Sequence, residues 1–320
     1  MRLAAARWTL AALGLLLAVV RPALADAPVR LTVAVVKSRS LGPYDEATAG
    51  FTAALEAAGF APLLVPYDLG GDAGGAGGIV STLRTAPPDL ILTLGSLATT
   101  EIARGVDQSP IVFCMVLDPA SSGLTAEGER SGRNLTGVSM DIPPEAQLDA
   151  IHRVLPGATR VGILHGPETE TAVARARAAA PSRGLTIVAT EVASEREVAR
   201  AMTAMLTKAD VLLAVPDAAV YTESSTRYIL LQTLRQAQPF MGLMESFVSA
   251  GALMGLGLDF ADLGAQAGGM AAQIARGAPP GSVAVQGPRQ TRLLLNLRTA
   301  RRIGVTIPDA VMGDAEVVVP

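Results

Sequence analysis

Residues 89–100 read Asp89-Leu90-Ile91-Leu92-Thr93-Leu94-Gly95-Ser96-Leu97-Ala98-Thr99-Thr100. Asp89–Thr93 is a short run without polar alternation, the pattern of a strand buried on both faces. Gly95-Ser96 then breaks the run, and Thr99 and Ile102 continue at helical spacing. A buried strand that turns into a helix through a glycine and a serine is the repeating unit of an α/β fold. The same grammar runs outward in both directions. Upstream, Leu31–Val36 reads as a strand and Tyr44–Ala58 as a helix stopped by Gly59. Pro62–Val65 reads as a second strand, and Gly70–Gly78 as a flexible glycine loop. Downstream, Ile111–Met115 is a fourth strand. Beyond a break near Ser139–Pro144 come strands at Val161–Leu164, Leu185–Thr190, Val211–Val215 and near Ala252–Leu256. Helices at Pro144–Leu155, Thr169–Ala180, Ala193–Leu206, Ser224–Gln236 and Leu263–Arg276 alternate with them, and a last short helix follows Asn296. Continuous apolar strands alternating with helices predict parallel sheets covered on both faces. The expected fold is α/β, with two doubly wound parallel-sheet lobes of similar size; one large sheet is the alternative. The first lobe is expected over 26–140 with a return segment about 259–280. The second is expected over 141–258 with a C-terminal segment about 281–320.

Composition narrows the class. The chain has 320 residues, half of them hydrophobic and 17% charged, with a formal net charge of −3. That balance excludes a disordered tail and argues against a nucleic-acid binder, which shows a basic face. One cysteine, Cys114, excludes an internal disulfide and a cysteine-based zinc cluster. At the N-terminus, Arg2 and Arg7 precede an apolar run from Trp8 to Val20, too short to span a bilayer as a helix. Arg21-Pro22 ends it, and Ala23-Leu24-Ala25 has the small-x-small form of a secretory cleavage site. Residues 1–25 are therefore expected to be a signal peptide cleaved after Ala25, leaving an exported, periplasmic protein.

Ligands of open parallel sheets sit beyond the carboxyl ends of the strands, where helix N-termini offer free amides and a positive dipole end. The residues that follow each strand are the candidates: Ser38 and Tyr44 after the first, Gly95, Ser96 and Leu97 after the third, and Asp118 after the fourth. In the second half they are His165, Asp217, Glu245 and Asp259. Each also has a structural reading: Gly95-Ser96 and Asp217 as helix caps, Asp118-Pro119 as a turn, His165 as the end of a strand. Glu245 and Asp259 could equally pair with arginines. No G-x-S-x-G nucleophile elbow and no phosphate-binding G-x-x-x-x-G-K-[ST] occurs, and Cys114 inside an apolar strand reads as an inert thiol. The pattern is that of a binder before that of an enzyme, with no cofactor or metal. An exported enzyme using Asp118 and Asp217 as paired carboxylates is a rival reading.

Several segments together resemble one family. They are Gly95-Ser96-Leu97-Ala98, Pro110-Ile111-Val112-Phe113 leading to Asp118-Pro119, and Asn134-Leu135-Thr136-Gly137-Val138-Ser139. Leu155-Pro156-Gly157-Ala158-Thr159-Arg160-Val161-Gly162, Val215-Pro216-Asp217, Leu295-Asn296-Leu297-Arg298-Thr299-Ala300 and Ile303-Gly304-Val305-Thr306-Ile307-Pro308 continue the match. These resemble, in order, the ABC-transporter substrate-binding proteins of the tryptophan/aromatic amino-acid type. The resemblance implies a type I periplasmic-binding-protein fold with three hinge crossings. It further implies that Ser96 and the amides after it hold a ligand carboxylate, with Asp118 and Asp217 lining the cleft from opposite lobes. The partners it implies are a small-molecule ligand and ABC permease subunits, the protein itself being a monomer. Departures lie in the loop Ser38–Tyr44, in Ser96 where threonine is usual, in Ala218, and in His165-Gly166. With aromatic residues at 3% of the chain, a compact polar ligand is expected over an indole. A ligand-sensing module for a membrane receptor is the alternative role.

Overall fold

The structure is a computed structural model that describes residues 28–120, 122–125 and 134–320. The expected signal peptide lies outside the described residues. The first sheet contains β1 (Val29–Lys37), β2 (Phe60–Asp68), β3 (Leu90–Leu94), β4 (Ile111–Val116) and β5 (Leu135–Ser139) in the order β2-β1-β3-β4-β5. Every pairing in it is parallel. The helices between are α1 (Gly42–Ala57), α2 (Ala76–Thr85) and α3 (Ser96–Gly105). Alternate strand residues go to opposite faces, and both faces are covered. Val33, Val35, Leu92 and Val112 pack with Phe51 and Leu55 of α1. Ala34, Val36, Ile91 and Phe113 pack with Leu83 of α2 and Ile102 of α3. Burial on both sides is why these strands lack polar alternation. Pro62 and Pro66 lie in β2 because it is the edge strand, where a missing amide donor leaves no ladder bond unmade.

The second sheet follows α4 (Pro144–Val154). Its elements are β6 (Arg160–His165), α5 (Glu170–Ala179), β7 (Thr186–Glu191), α6 (Glu195–Met205), β8 (Val211–Leu213), α7 (Glu223–Arg235), β9 (Phe240–Gly242), α8 (Glu245–Ala250) and β10 (Met254–Leu258). After β10 the chain returns to the first lobe as α9 (Phe260–Ala275), whose Leu263, Ala267 and Met270 join the core around α1. It then comes back as β11 (Thr291–Asn296), α10 (Leu297–Ile303), α11 (Asp309–Met312) and β12 (Ala315–Val319). The seven strands run β12-β11-β10-β9-β8-β6-β7. The chain therefore passes between the sheets three times: after β5, after β10, and before β11. It stays hydrogen-bonded to β5 through Gln286 on the last of these.

Two expectations change. The second sheet is not wholly parallel, because β10 and β11 pair antiparallel. β11 arrives from the other lobe rather than from a covering helix, so no right-handed crossover fixes its direction. The glycine run is only partly a loop. Ala73–Gly75 is a 3-10 turn and Ala76-Gly77-Gly78 opens α2. Buried Ala76 and Leu83 on one face of α2 anchor it to the sheet, and that packing outweighs the weak helix propensity of glycine.

α1 and α9 touch backbone to backbone. A Cβ on Gly50 would strike the carbonyl of Ala261, and one on Gly264 would strike that of Ala47. Both helices begin beside the carboxyl end of the sheet, so this close packing locks the loop after β1 to the start of α9.

Candidate functional site

The structure brings together five of the expected residues on the first lobe. β1 ends one residue before Ser38, whose buried hydroxyl donates to the Leu94 carbonyl at 2.9 Å. The same oxygen accepts the Ala98 N–H at 3.0 Å. Ala98 is the third residue of α3, so Ser38 performs the N-cap function from a neighbouring strand. Ser96 is the first helical residue and does not cap its own helix; the cap position is Gly95, at φ +88°. A Cβ at Gly95 would collide with the Tyr44 hydroxyl and lie 2.7 Å from Ser38 Oγ. Glycine is thus required twice over, by its dihedral and by its neighbours. The Gly95 carbonyl accepts both the N–H of Thr99 (3.1 Å) and its hydroxyl (2.8 Å). The amides of Ser96 and Leu97, at the opening of α3, have no acceptor within the helix. Dipole and amides together suit an anion such as a carboxylate.

β4 ends irregularly. Met115 has φ +62°, and the register with β5 shifts between Cys114 and Val116. Leu117 then emerges 45% exposed, and Asp118, at φ +41°, is exposed beside it. The Asp118 N–H donates to both carboxylate oxygens of Asp141, at 3.1 and 3.2 Å. Asp141 was not among the expected residues. It lies in the first passage between sheets, two residues before Pro143-Pro144, a segment that reads from sequence only as a break. Burial pushes the Asp141 carboxyl above the usual carboxylate range, and the nearby charge of Asp118 adds to the effect. The Asp118 N–H, Ser139 and the positive charge of Arg175 on α5 partly offset it.

On the second lobe, Asp217 follows β8 and accepts four hydrogen bonds. Oδ2 takes the Gly166 N–H and the Thr169 hydroxyl, both at 2.5 Å. Oδ1 takes the amides of Ala219 (2.9 Å) and Val220 (3.0 Å). Burial raises its pKa, but these four donors outweigh burial and hold it below the usual range. Asp217 thereby ties the loop after β6 to the loop after β8. His165 is the last residue of β6 and 1% exposed. Its Nδ1 lies 3.0 Å from the Gly166 carbonyl and its Nε2 3.6 Å from Glu170. Glu245 is the exposed first residue of α8. Asp259 caps α9 by accepting the Asp262 N–H at 2.9 Å, so its partner is a backbone amide and not an arginine. The arginine pairs instead with Asp262, through Arg289.

Three large apolar side chains among the described residues also stand exposed just beyond the carboxyl ends of strands. Leu41 (41%) and Leu117 (45%) belong to the first lobe and Met244 (52%) to the second. Sequence inspection missed them because a lone leucine or methionine in a loop carries no motif. Cys114 is buried in β4, with its thiol pushed up to about 12 by burial. Among the described residues no cluster of three or more His, Cys, Asp or Glu could hold a metal ion. No helix among them is long and apolar enough to cross a membrane.

Comparison with known proteins places this architecture. A family model described as "ABC transporter substrate binding protein" matches residues 32–319. A tyrosine-binding protein of Clostridioides difficile (strain R20291) is 24% identical over 228 residues, 70% of this chain; the match takes in 66% of that relative, just under two thirds of its length. The solved ABC domain from Streptococcus pneumonia in complex with L-Trp superposes with a TM-score of 0.63 at 23% identity, covering 90% of this chain and 99% of that one. A ligand-free, open substrate-binding protein with adhesive properties from Clostridium difficile superposes at 0.76 with 21% identity, over 90% and 99% of the two chains. These likenesses in structure establish the type I periplasmic-binding-protein fold. With a family model covering nearly all of the described chain, the protein belongs to the ABC transporter substrate-binding protein family.

Proposed function

We propose that this protein, once exported, captures a free amino acid between its two lobes and presents it to an ABC permease. The opening of α3 carries the reading. Ser38 caps the helix from outside, so the amides of Ser96 and Leu97 stay available for the ligand carboxylate. Gly95 lets the Tyr44 hydroxyl approach that spot. Leu41 and Leu117 would meet the ligand side chain from one lobe and Met244 from the other, which favours an apolar side chain over the compact polar ligand that composition suggests. Asp118 and Glu245, both exposed near strand ends, would face a ligand ammonium. Asp217 supports the second lobe's loops, since its oxygens already hold four donors. The tyrosine-binding relative and the L-Trp complex support an amino-acid ligand. Ligand contacts made only when the lobes meet would favour the closed state.

The test is thermal melting of refolded, ligand-stripped protein against L-tyrosine, L-tryptophan, aliphatic amino acids and simple dicarboxylates. A ligand at about 100-fold over Kd adds about 2.7 kcal/mol, a Tm rise of roughly 5–10 °C for lobes of this size. A shift with an amino acid that Ser96→Pro abolishes supports the reading. A flat response to every amino acid overturns it.

A further inference from the structure

The loop that carries Leu117 and Asp118 is braced from outside as well as by its own turn. Met115 and Asp118 both adopt positive φ without being glycine, a conformation that persists only where neighbours impose it. The neighbours here belong to the first passage between the lobes. The Met140 N–H donates to the Val116 carbonyl at 2.8 Å, and the Asp141 carboxylate receives the Asp118 N–H on both oxygens. That passage is itself braced by the third one. The Ser139 N–H donates to the Gln286 carbonyl at 2.8 Å, and the Gln286 N–H donates to the Gly137 carbonyl at 3.0 Å. A Cβ on Gly287 would come within 3.2 Å of the Asp141 carbonyl. Asp141 therefore sits where two of the three passages run side by side, with its side chain turned to the loop after β4.

We propose that Asp141 is a positioning residue that couples the hinge to the ligand-facing loop, so that lobe opening and the posture of Leu117–Asp118 change together. The proposal rests on the two-lobe capture described above and adds the route by which the ligand loop and the hinge communicate. A hydrogen bond onto a carboxylate is charge-assisted and stronger than one onto a neutral amide oxygen. The charges facing Asp141 come from both sides: Asp118 on the loop after β4 and Arg175 on α5 of the second lobe. On the third passage, Arg289 is committed to Asp262. Coupling of this kind is reciprocal. A ligand that settles Leu117–Asp118 narrows the range of lobe angles, and a hinge held closed settles the loop. Because burial lifts the Asp141 pKa, falling pH protonates it ahead of ordinary surface carboxylates and weakens the link.

The test uses ligand-free protein, so its outcome is separate from whether any amino acid binds. Leu63→Cys on β2 and Leu231→Cys on α7 put exposed labelling sites on opposite lobes, while Cys114 stays buried and unreactive. Two quantities are read at neutral and mildly acidic pH: the inter-lobe distance distribution and deuterium uptake at residues 117–120. In Asp141→Ala the loop should exchange about tenfold faster, the loss of roughly one charge-assisted bond, and in Asp141→Asn faster by a smaller factor, because the amide oxygen still accepts the Asp118 N–H. The distance distribution should broaden in the same variants. As pH falls, wild type should move toward the behaviour of Asp141→Asn at neutral pH, and Asp141→Asn should show no acid response. If Asp141→Ala fails to fold, Asp141→Asn alone decides. A wild-type distance distribution in Asp141→Asn, a faster loop without broader lobe angles, or an acid response that survives Asp141→Asn each overturns the proposal.

Discussion

Gly95 is the residue on which the first lobe's half of the site turns. Its φ of +88° and the Tyr44 hydroxyl packed against it leave no room for a side chain. Gly95→Ala should cost about 1–3 kcal/mol, read as a lowered midpoint in urea, and should also weaken ligand binding by displacing Tyr44. Loss of stability with unchanged affinity would separate Tyr44 from the site. Two aspartates pull the pH profile in opposite directions. The pKa of Asp217 is lowered in the folded state, so its contribution is present above the ordinary carboxylate value of about 3.9 and is lost as pH falls through the lower folded value. The pKa of Asp141 is raised, so its contribution is present below the ordinary value and is lost as pH rises through the folded one. Asp217→Asn should cost about 1–3 kcal/mol at neutral pH, because an amide nitrogen would face a hydrogen-bond donor. It should also remove the rising limb of melting temperature against pH. Asp141→Asn should remove the falling limb.

At the scale of elements, two groups of glycines behave differently although they look alike in sequence. Gly77 and Gly78 lie in the first turn of α2 with nothing near a prospective Cβ. Gly77→Ala and Gly78→Ala should each stabilise the protein by about 0.5–1 kcal/mol through lost unfolded-state freedom and better helix propensity. Gly264 is held against the Ala47 carbonyl of α1. Gly264→Ala should destabilise it by roughly 1–3 kcal/mol, as an overpacked core contact does. Denaturant titration of the three single variants checks both signs. If Gly264→Ala were neutral, the rigid link between the loop after β1 and the start of α9 would be in doubt.

At the scale of the molecule, the relevant variable is the angle between two sheets joined by three passages. Capture by closure predicts a fall in the radius of gyration by small-angle scattering when the ligand found by melting is added at saturation. The hinge variant Asp141→Asn should start from a broader ensemble and reach the same compact end state. A ligand that raises the melting temperature without compaction would mean that binding occurs on one lobe only. The exposed Met244, alone on the second lobe among the three exposed apolar residues beyond the carboxyl ends of strands, would then contribute nothing, and Met244→Ala would leave affinity unchanged.

Strand and helix identity was legible in the sequence because the inner strands of the sheets are buried on both faces, so Leu31–Val36, Asp89–Thr93 and Ile111–Met115 stand out without any partner in view. The position of Gly95-Ser96 at the mouth of a helix was legible for the same local reason. The pairing of β10 with β11, the helical start of α2, and the roles of Ser38, Asp141 and Asp217 were not. Ser38 caps a helix 60 residues away, Asp217 holds a loop 51 residues away, and Asp141 holds an amide 23 residues away. Sequence by itself determined what depends on neighbours along the chain: periodicity, caps and turns. Tertiary structure alone decided which carboxylates are consumed in the scaffold, as Asp217 is by its four donors. A hydrogen bond is short-ranged in space and indifferent to separation along the chain, so its partner appears only when the fold has closed.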